Sequence, residues 1–151
     1  MLIDQILALP AGSVGVADIG AAFYGEVPPY QRLLDTGLAQ LFAFEPDRRY
    51  ATPLRQRLGQ SGTVFEQAIA DGHEHTLYVC DHGWTSLHEP DPDALAFFNT
   101  FPILGRVVSK ASIATRRLDD IVELPQIDFL KMDVQGSELS ILQNGRKKLS
   151  K

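Results

Sequence analysis

Residues 127–142 read IDFLKMDVQGSELSIL, and this stretch decides the fold class. An apolar run rich in strand formers reaches Asp133, passes through Gly136 and turns at once into sequence of helical period. Leu139, Ile141 and Leu142 are the expected apolar face of that helix. The pattern predicts a strand over 127–134, a tight turn and a helix. In an open α/β sheet, ligands bind beyond the carboxyl ends of the strands, so Asp133 faces either a site or solvent.

The same unit recurs upstream. After a short leader, residues 14–19 read as a strand ending at Asp18-Ile19-Gly20, where glycine permits a turn closed to bulkier residues. Pro28 and Pro29 suit the first turn of a helix that carries Leu33, Leu34 and Leu38 and exits at Gly37. Residues 41–44 form a second strand that stops at Glu45-Pro46-Asp47, and a helix follows over 48–58. A third strand is expected over 63–70, and the Asp71-Gly72 turn leads into an added strand over 76–80. The pattern then loosens. A polar stretch over 81–92 precedes a short helix at 94–98, started by Asp91-Pro92-Asp93. A strand over 113–118 and a helical turn over 119–124 complete the reading. Strands alternating with helices imply a mostly parallel sheet with right-handed crossovers, hence a doubly wound α/β domain with helices on both faces. One such domain over 1–151 is expected. Because Asn144-Gly145 ends the last helix just before the chain stops, the strand over 127–134 is expected at an open edge. Such an edge invites pairing with further strands or with a second copy in a homodimer.

Composition narrows the function classes. A chain of 151 residues can bury a core, and 44% of it is apolar without any stretch approaching a membrane span. The start Met-Leu-Ile-Asp-Gln lacks the pattern of a secretory signal. A net charge of -5 argues against a nucleic-acid backbone as the main partner. Arg146, Lys147, Lys148 and Lys151 form a basic cluster that reads as a solvated helix exit. The single cysteine, Cys80, suits a reducing cytoplasm as a plain thiol within a strand and excludes a cysteine-only metal site. None of the four histidines has zinc-ligand spacing, and no metal is expected.

Two acids at strand ends carry the chemistry. Asp18-Ile19-Gly20-Ala21 closes the first strand and Glu45 closes the second. Glycine lets the backbone approach a ligand, and an acid twenty-odd residues later can accept hydrogen bonds from ribose hydroxyls. An ordinary turn followed by a helix cap would give the same letters. Dinucleotide sites space three glycines to cradle pyrophosphate. Here Gly20 is followed by Ala-Ala-Phe-Tyr-Gly25, which disfavours an NAD-dependent oxidoreductase and suits a nucleoside ligand without phosphates.

Several of these motifs together resemble the FkbM-type methyltransferases. They are Val16-Ala-Asp-Ile-Gly-Ala, Phe42-Ala-Phe-Glu-Pro, Thr85-Ser-Leu, Arg117-Leu-Asp-Asp and, above all, the opening stretch through Leu139. The resemblance implies a Rossmann-like fold, S-adenosylmethionine as methyl donor, and O-methylation of a sugar or other small hydroxylated acceptor. The family continues into further carboxyl-terminal strands, which are missing here. It usually has Asn-x-Gly after Gly-Ala, where this chain has Ala22-Phe23-Tyr24-Gly25. Carried over by position, Asp18, Gly20 and Ala21 would line the methionine portion, Glu45 would hold the ribose, and Gln67 with Ala68 would border the adenine. Ser86, in the Trp84-Thr85-Ser86-Leu87 loop, would lie near the cofactor, with a surface turn as the alternative.

Methyl transfer needs positioning and a base for the acceptor hydroxyl. Asp133 is the expected base or acceptor ligand, with Glu138 behind it and Lys131 two residues earlier on the same face, ~6.6 Å away by strand rise. A helix cap is the alternative for Asp133. Val27-Pro28-Pro29-Tyr30 superficially matches a base-methylating motif, but valine offers no hydrogen bond to an amine. The aromatic group Phe97, Phe98 and Phe101, with Leu95, is read as core rather than lid. A non-catalytic nucleotide-binding or assembly module is the rival function, favoured by the missing strands.

Overall fold

A computed structural model describes residues 9–150. Most of the short leader and Lys151 of the basic cluster lie outside the described residues. Two compact units divide the chain. The first takes the described residues up to Gln67 together with Val122–Met132, and the second takes Ala68–Ile121 and Asp133–Ser150. Mixed α/β structure with a mostly parallel main sheet flanked by helices is what the alternating pattern implies, and it is what the chain forms.

The first unit holds a four-stranded parallel sheet. Its strands are β1 (Val14–Ile19), β2 (Ala39–Phe44), β3 (Gly62–Phe65) and β7 (Phe129–Met132), in the order β3-β2-β1-β7. Parallel strands buried on both faces read as near-continuous apolar runs, and β1 and β2 do so apart from Asp18 and Gln40. On one face Val16, Leu41 and Ala43 pack with Ala21, Tyr30 and Leu54, and Leu33, Leu58 and Phe129 close around them. Leu33 belongs to helix α1 (Gln31–Asp35); Leu54 and Leu58 belong to α2 (Arg48–Leu58). On the opposite face Phe44 stacks on Phe65 at 4.8 Å between ring centroids. The register aligns Asp18 with Ala43 on one side and Lys131 on the other. Among the described strands β7 lies at one edge, as the opening stretch implies, but spans less than 127–134.

Two sequence expectations in this unit are corrected. Helix α1 starts at Gln31, not at the prolines, because two consecutive prolines hold extended-to-turn backbone and only the Pro28 carbonyl takes part, accepting from the Gln31 N–H at 2.9 Å. Leu38 is not helical; it leads into β2 after Gly37 reverses the chain. The strand expected over 63–70 is two strands. Glu66 and Gln67 interrupt it, and the Glu66 carboxylate turns outward to Arg48 and Arg55 at 2.8 and 2.9 Å.

In the second unit, β4 (Ala68–Ile69), β5 (Glu74–Cys80) and β6 (Val107–Arg116) form a sheet in the order β4-β6-β5, with β5 and β6 antiparallel. β6 begins well before residue 113; its residues 108–112 are all exposed and show no apolar alternation, so the sequence pattern does not announce them. Helix α3 (Pro92–Ala96) is capped by Asp91, whose carboxylate accepts from the N–H groups of Asp93 and Ala94. Helix α4 (Phe101–Leu104) follows. A 3-10 turn, Leu118–Asp120, replaces the helical turn over 119–124, with Leu118 and Ile121 buried. Helices α5 (Glu138–Gln143) and α6 (Arg146–Leu149) come last. The Asp119 carboxylate accepts from the Lys147 and Lys148 N–H groups, so the basic cluster forms a tied helical turn.

Burial corrects two more expectations. Phe97 is 83% exposed and Phe98 is also exposed, so they are not core; helix α3 is too short to bury a face. Phe98 instead leans on Phe101, and Trp84 meets Phe101 edge-on. In α5 only Ile141 is fully buried, whereas Leu139 is 66% exposed and Leu142 is exposed, because a six-residue helix turns a single position inward.

Candidate functional site

In the first unit, the ends of β1 and β2 place two buried acids close to one backbone turn. Asp18 and Glu45 are 3% and 5% exposed. Tyr30, the N-cap residue of α1, donates its hydroxyl to Asp18 Oδ2, and Lys131 Nζ lies 2.9 Å from Asp18 Oδ1. The same ammonium donates to the Gly20 carbonyl at 2.8 Å. Gly20 has φ +77°, a left-handed backbone that glycine adopts without strain. The N–H groups of Gly20 and Ala21 both donate to the Phe44 carbonyl, at 3.0 and 3.1 Å, which folds the turn over the end of β2. Lys131 is therefore engaged by Asp18 and Gly20, and Tyr30 enters the site although nothing in its spacing from Asp18 announces it.

Glu45 sits just past that turn. Burial pushes its carboxyl up from 4.5 to about 7, against the opposing pull of the Asp47 and Ala22 backbone N–H groups and the Lys131 charge. The Asp47 N–H donates to Glu45 Oε1 at 2.8 Å, and Glu45 makes no ion pair among the described residues. A buried carboxyl without a cationic partner suits hydroxyl donors such as a ribose diol, and that is the fit the nucleoside reading requires. The loop beyond Gly20 brings Tyr24 to Tyr50, ring centroids 5.2 Å apart, and Arg57 over the Phe23 ring at 3.8 Å. Gln67 is half-buried after β3.

A second group of expected residues gathers in the second unit. Ser86 is buried, so the surface-turn alternative falls; its backbone pairs with Tyr78, and its hydroxyl donates to the Gln135 carbonyl at 2.8 Å while accepting from the His88 N–H at 2.9 Å. Gln135 itself is left-handed at φ +59°, and its side-chain amide donates to Asp133. Gly136 follows at φ +116° with the His88 ring against it: a Cβ there would come within 3.1 Å of that ring. Asp133 is exposed. It does not cap the helix. Glu138 serves that turn instead, its two carboxylate oxygens accepting from the Val134 and Gly136 N–H groups at 3.1 and 3.0 Å. Burial pushes the Glu138 carboxyl up, but backbone N–H groups, first its own and then those of Val134, Gly136 and Gln135, outweigh it and hold it below the ordinary value. Ala68 is buried at the start of β4. Asp18, Gly20, Ala21, Glu45 and Lys131 thus assemble within one unit, and Ser86, Asp133 and Glu138 within the other.

Among the described residues no group of three or more His, Cys, Asp and Glu side chains is arranged to hold a metal, and no helix is long and apolar enough to cross a membrane. Comparison with known proteins adds the following. The family described as Methyltransferase FkbM domain matches residues 18–151. The chain is 33% identical over 127 residues to a curated protein named 2-O-methyltransferase NoeI from Sinorhizobium fredii (strain NBRC 101917 / NGR234), with 75% of this chain and 50% of that protein covered. The chain spans about half the length of that relative. No solved structure matches it significantly.

Proposed function

Because the chain belongs to the FkbM methyltransferase family, we propose that it binds S-adenosylmethionine and serves the O-methylation of a sugar or other small hydroxylated acceptor. The observation that carries this reading is the pairing of the Gly20 turn with buried, ion-pair-free Glu45 at adjacent parallel strand ends. The name of the 33% identical relative, a 2-O-methyltransferase, supports oxygen as the methylated atom. When bound, the cofactor supplies a sulfonium methyl group, which an acceptor oxygen takes by in-line displacement as the carbon–sulfur bond breaks and the thioether leaves. Glu45 accepts from the ribose hydroxyls, Asp18, Gly20 and Ala21 form the floor of the methionine end, and Gln67 and Ala68 flank the base. Asp133 takes the acceptor hydroxyl's proton. Its exposure leaves it within reach of a solvent-borne acceptor, and the Gln135 amide holds it. Glu138 shapes the turn that presents Asp133. We place the protein in the cytoplasm, where Cys80, a buried thiol pushed up by burial, stays reduced.

Isothermal titration with S-adenosylhomocysteine tests the reading. The chain is expected to bind it in the micromolar range, and Glu45→Ala to weaken it by about tenfold or more, as expected for a lost carboxylate–hydroxyl pair. A folded chain that shows no binding at millimolar ligand would sink the proposal.

A further inference from the structure

We infer that Lys131 and Tyr30 are positioning residues of the methyl donor's amino-acid end: they set the Gly20–Ala21 peptide through Asp18, so Lys131 serves the cofactor turn and not the acceptor acid. This rests on the S-adenosylmethionine reading above. Asp18 is held from two sides, by the Tyr30 hydroxyl on one carboxylate oxygen and by the Lys131 ammonium, 2.9 Å away, on the other. Register places Lys131 directly across from Asp18 on the neighbouring parallel strand, so a straight side chain reaches both the carboxylate and the carbonyl beyond it. The Gly20–Ala21 peptide is then fixed at both ends. Its oxygen accepts from Lys131 at 2.8 Å, and its N–H donates to the Phe44 carbonyl at 3.1 Å.

An apolar trio would stabilise a core at least as well as a buried ion pair. What the charged trio adds is direction. A glycine at φ +77° has no side chain to limit rotation of its flanking peptides, and one charge-assisted and one backbone hydrogen bond restrain the one that follows it. The turn is thereby preformed, and ligand binding does not have to order it. Within its own unit Lys131 pairs with Asp18 and donates to Gly20, and its charge also draws Glu45 down. Glu45, across the turn, holds a different part of the ligand.

The test separates the two halves of the ligand. S-adenosylhomocysteine carries both the nucleoside and the amino acid, whereas 5′-methylthioadenosine carries the nucleoside alone. With the 151-residue chain, Lys131→Met is expected to weaken S-adenosylhomocysteine by about tenfold, on the scale of one charge-assisted hydrogen bond. Tyr30→Phe, which keeps the ring packing, is expected to weaken it by about threefold, on the scale of one shared hydroxyl. Tyr30→Phe should leave 5′-methylthioadenosine within about twofold of the unaltered chain, Lys131→Met should weaken it less than it weakens S-adenosylhomocysteine because only the Lys131 charge reaches Glu45, and Lys131→Arg should recover part of the loss, since it restores the charge. If Lys131→Met does not fold, Tyr30→Phe decides. Unchanged S-adenosylhomocysteine binding in the folded variants, or equal weakening of both ligands, would overturn this inference alone. Failure of the unaltered chain to bind S-adenosylhomocysteine would overturn it together with the reading on which it rests.

Discussion

Glu45 ties the proposed chemistry to stability. Its carboxyl is at 4.5 when solvated and near 7 when folded, with burial the leading cause. A group whose folded value is raised binds more protons in the native state than in the unfolded one. It therefore contributes stability that is fully present below about pH 4.5 and is lost as pH rises through 7. Equilibrium urea unfolding at pH 5 and pH 8 should show this loss, up to about 3 kcal/mol for the whole shift. Glu45→Gln, which keeps the shape and removes the ionisation, should flatten the difference. A variant with the same pH slope as the parent would show that Glu45 does not titrate in this window. The place of Glu45 at the end of β2 was legible in the sequence. Tyr30 was not: its hydroxyl meets Asp18 because α1 starts late and turns its N-cap residue inward, which no local period encodes.

The segment after β7 shows what an acid can do at the scale of an element. The Asp133-to-Glu138 turn contains two consecutive residues with positive φ, Gln135 and Gly136, so its N–H groups point where α5 cannot use them. Glu138 accepts two of them, and Glu138→Ala should cost about 1–2 kcal/mol in denaturant unfolding, as for a lost helix cap. A cost near zero would mean that water replaces the carboxylate. The strand, turn and helix were readable from period and glycine, as were β1 and α2 to the residue. Reading failed where tertiary pairing overrode local pattern. β6 is long because β5 pairs along it, and 63–70 splits because its two ends join different sheets. The acids at strand ends were legible because strand ends are. The partners of Asp18, namely Tyr30 and Lys131, come from far along the chain, whereas Glu45, Asp133 and Glu138 take theirs from neighbouring residues, through backbone geometry that the sequence does not spell out.

Across the whole molecule, exposure limits what the aromatics of the second unit contribute. With Phe97 at 83% exposure, Phe97→Ser should change unfolding free energy by less than about 0.5 kcal/mol. A loss of several times that, measured by chemical denaturation, would restore the residue to a packed core. Neither unit is a continuous piece of chain, since the first closes with Val122–Met132 only after the sheet strands of the second have been made. The hydrogen bond from Lys131 to Gly20 spans 111 residues. On the ribosome, then, Asp18 emerges long before the lysine that neutralises it, and β1 waits with one neighbouring position empty until β7 is synthesised. A nascent chain halted short of residue 131 carries that carboxylate without its ammonium neighbour. The turn after β1 therefore acquires its final contacts only once residue 131 has been made, well after the first strands.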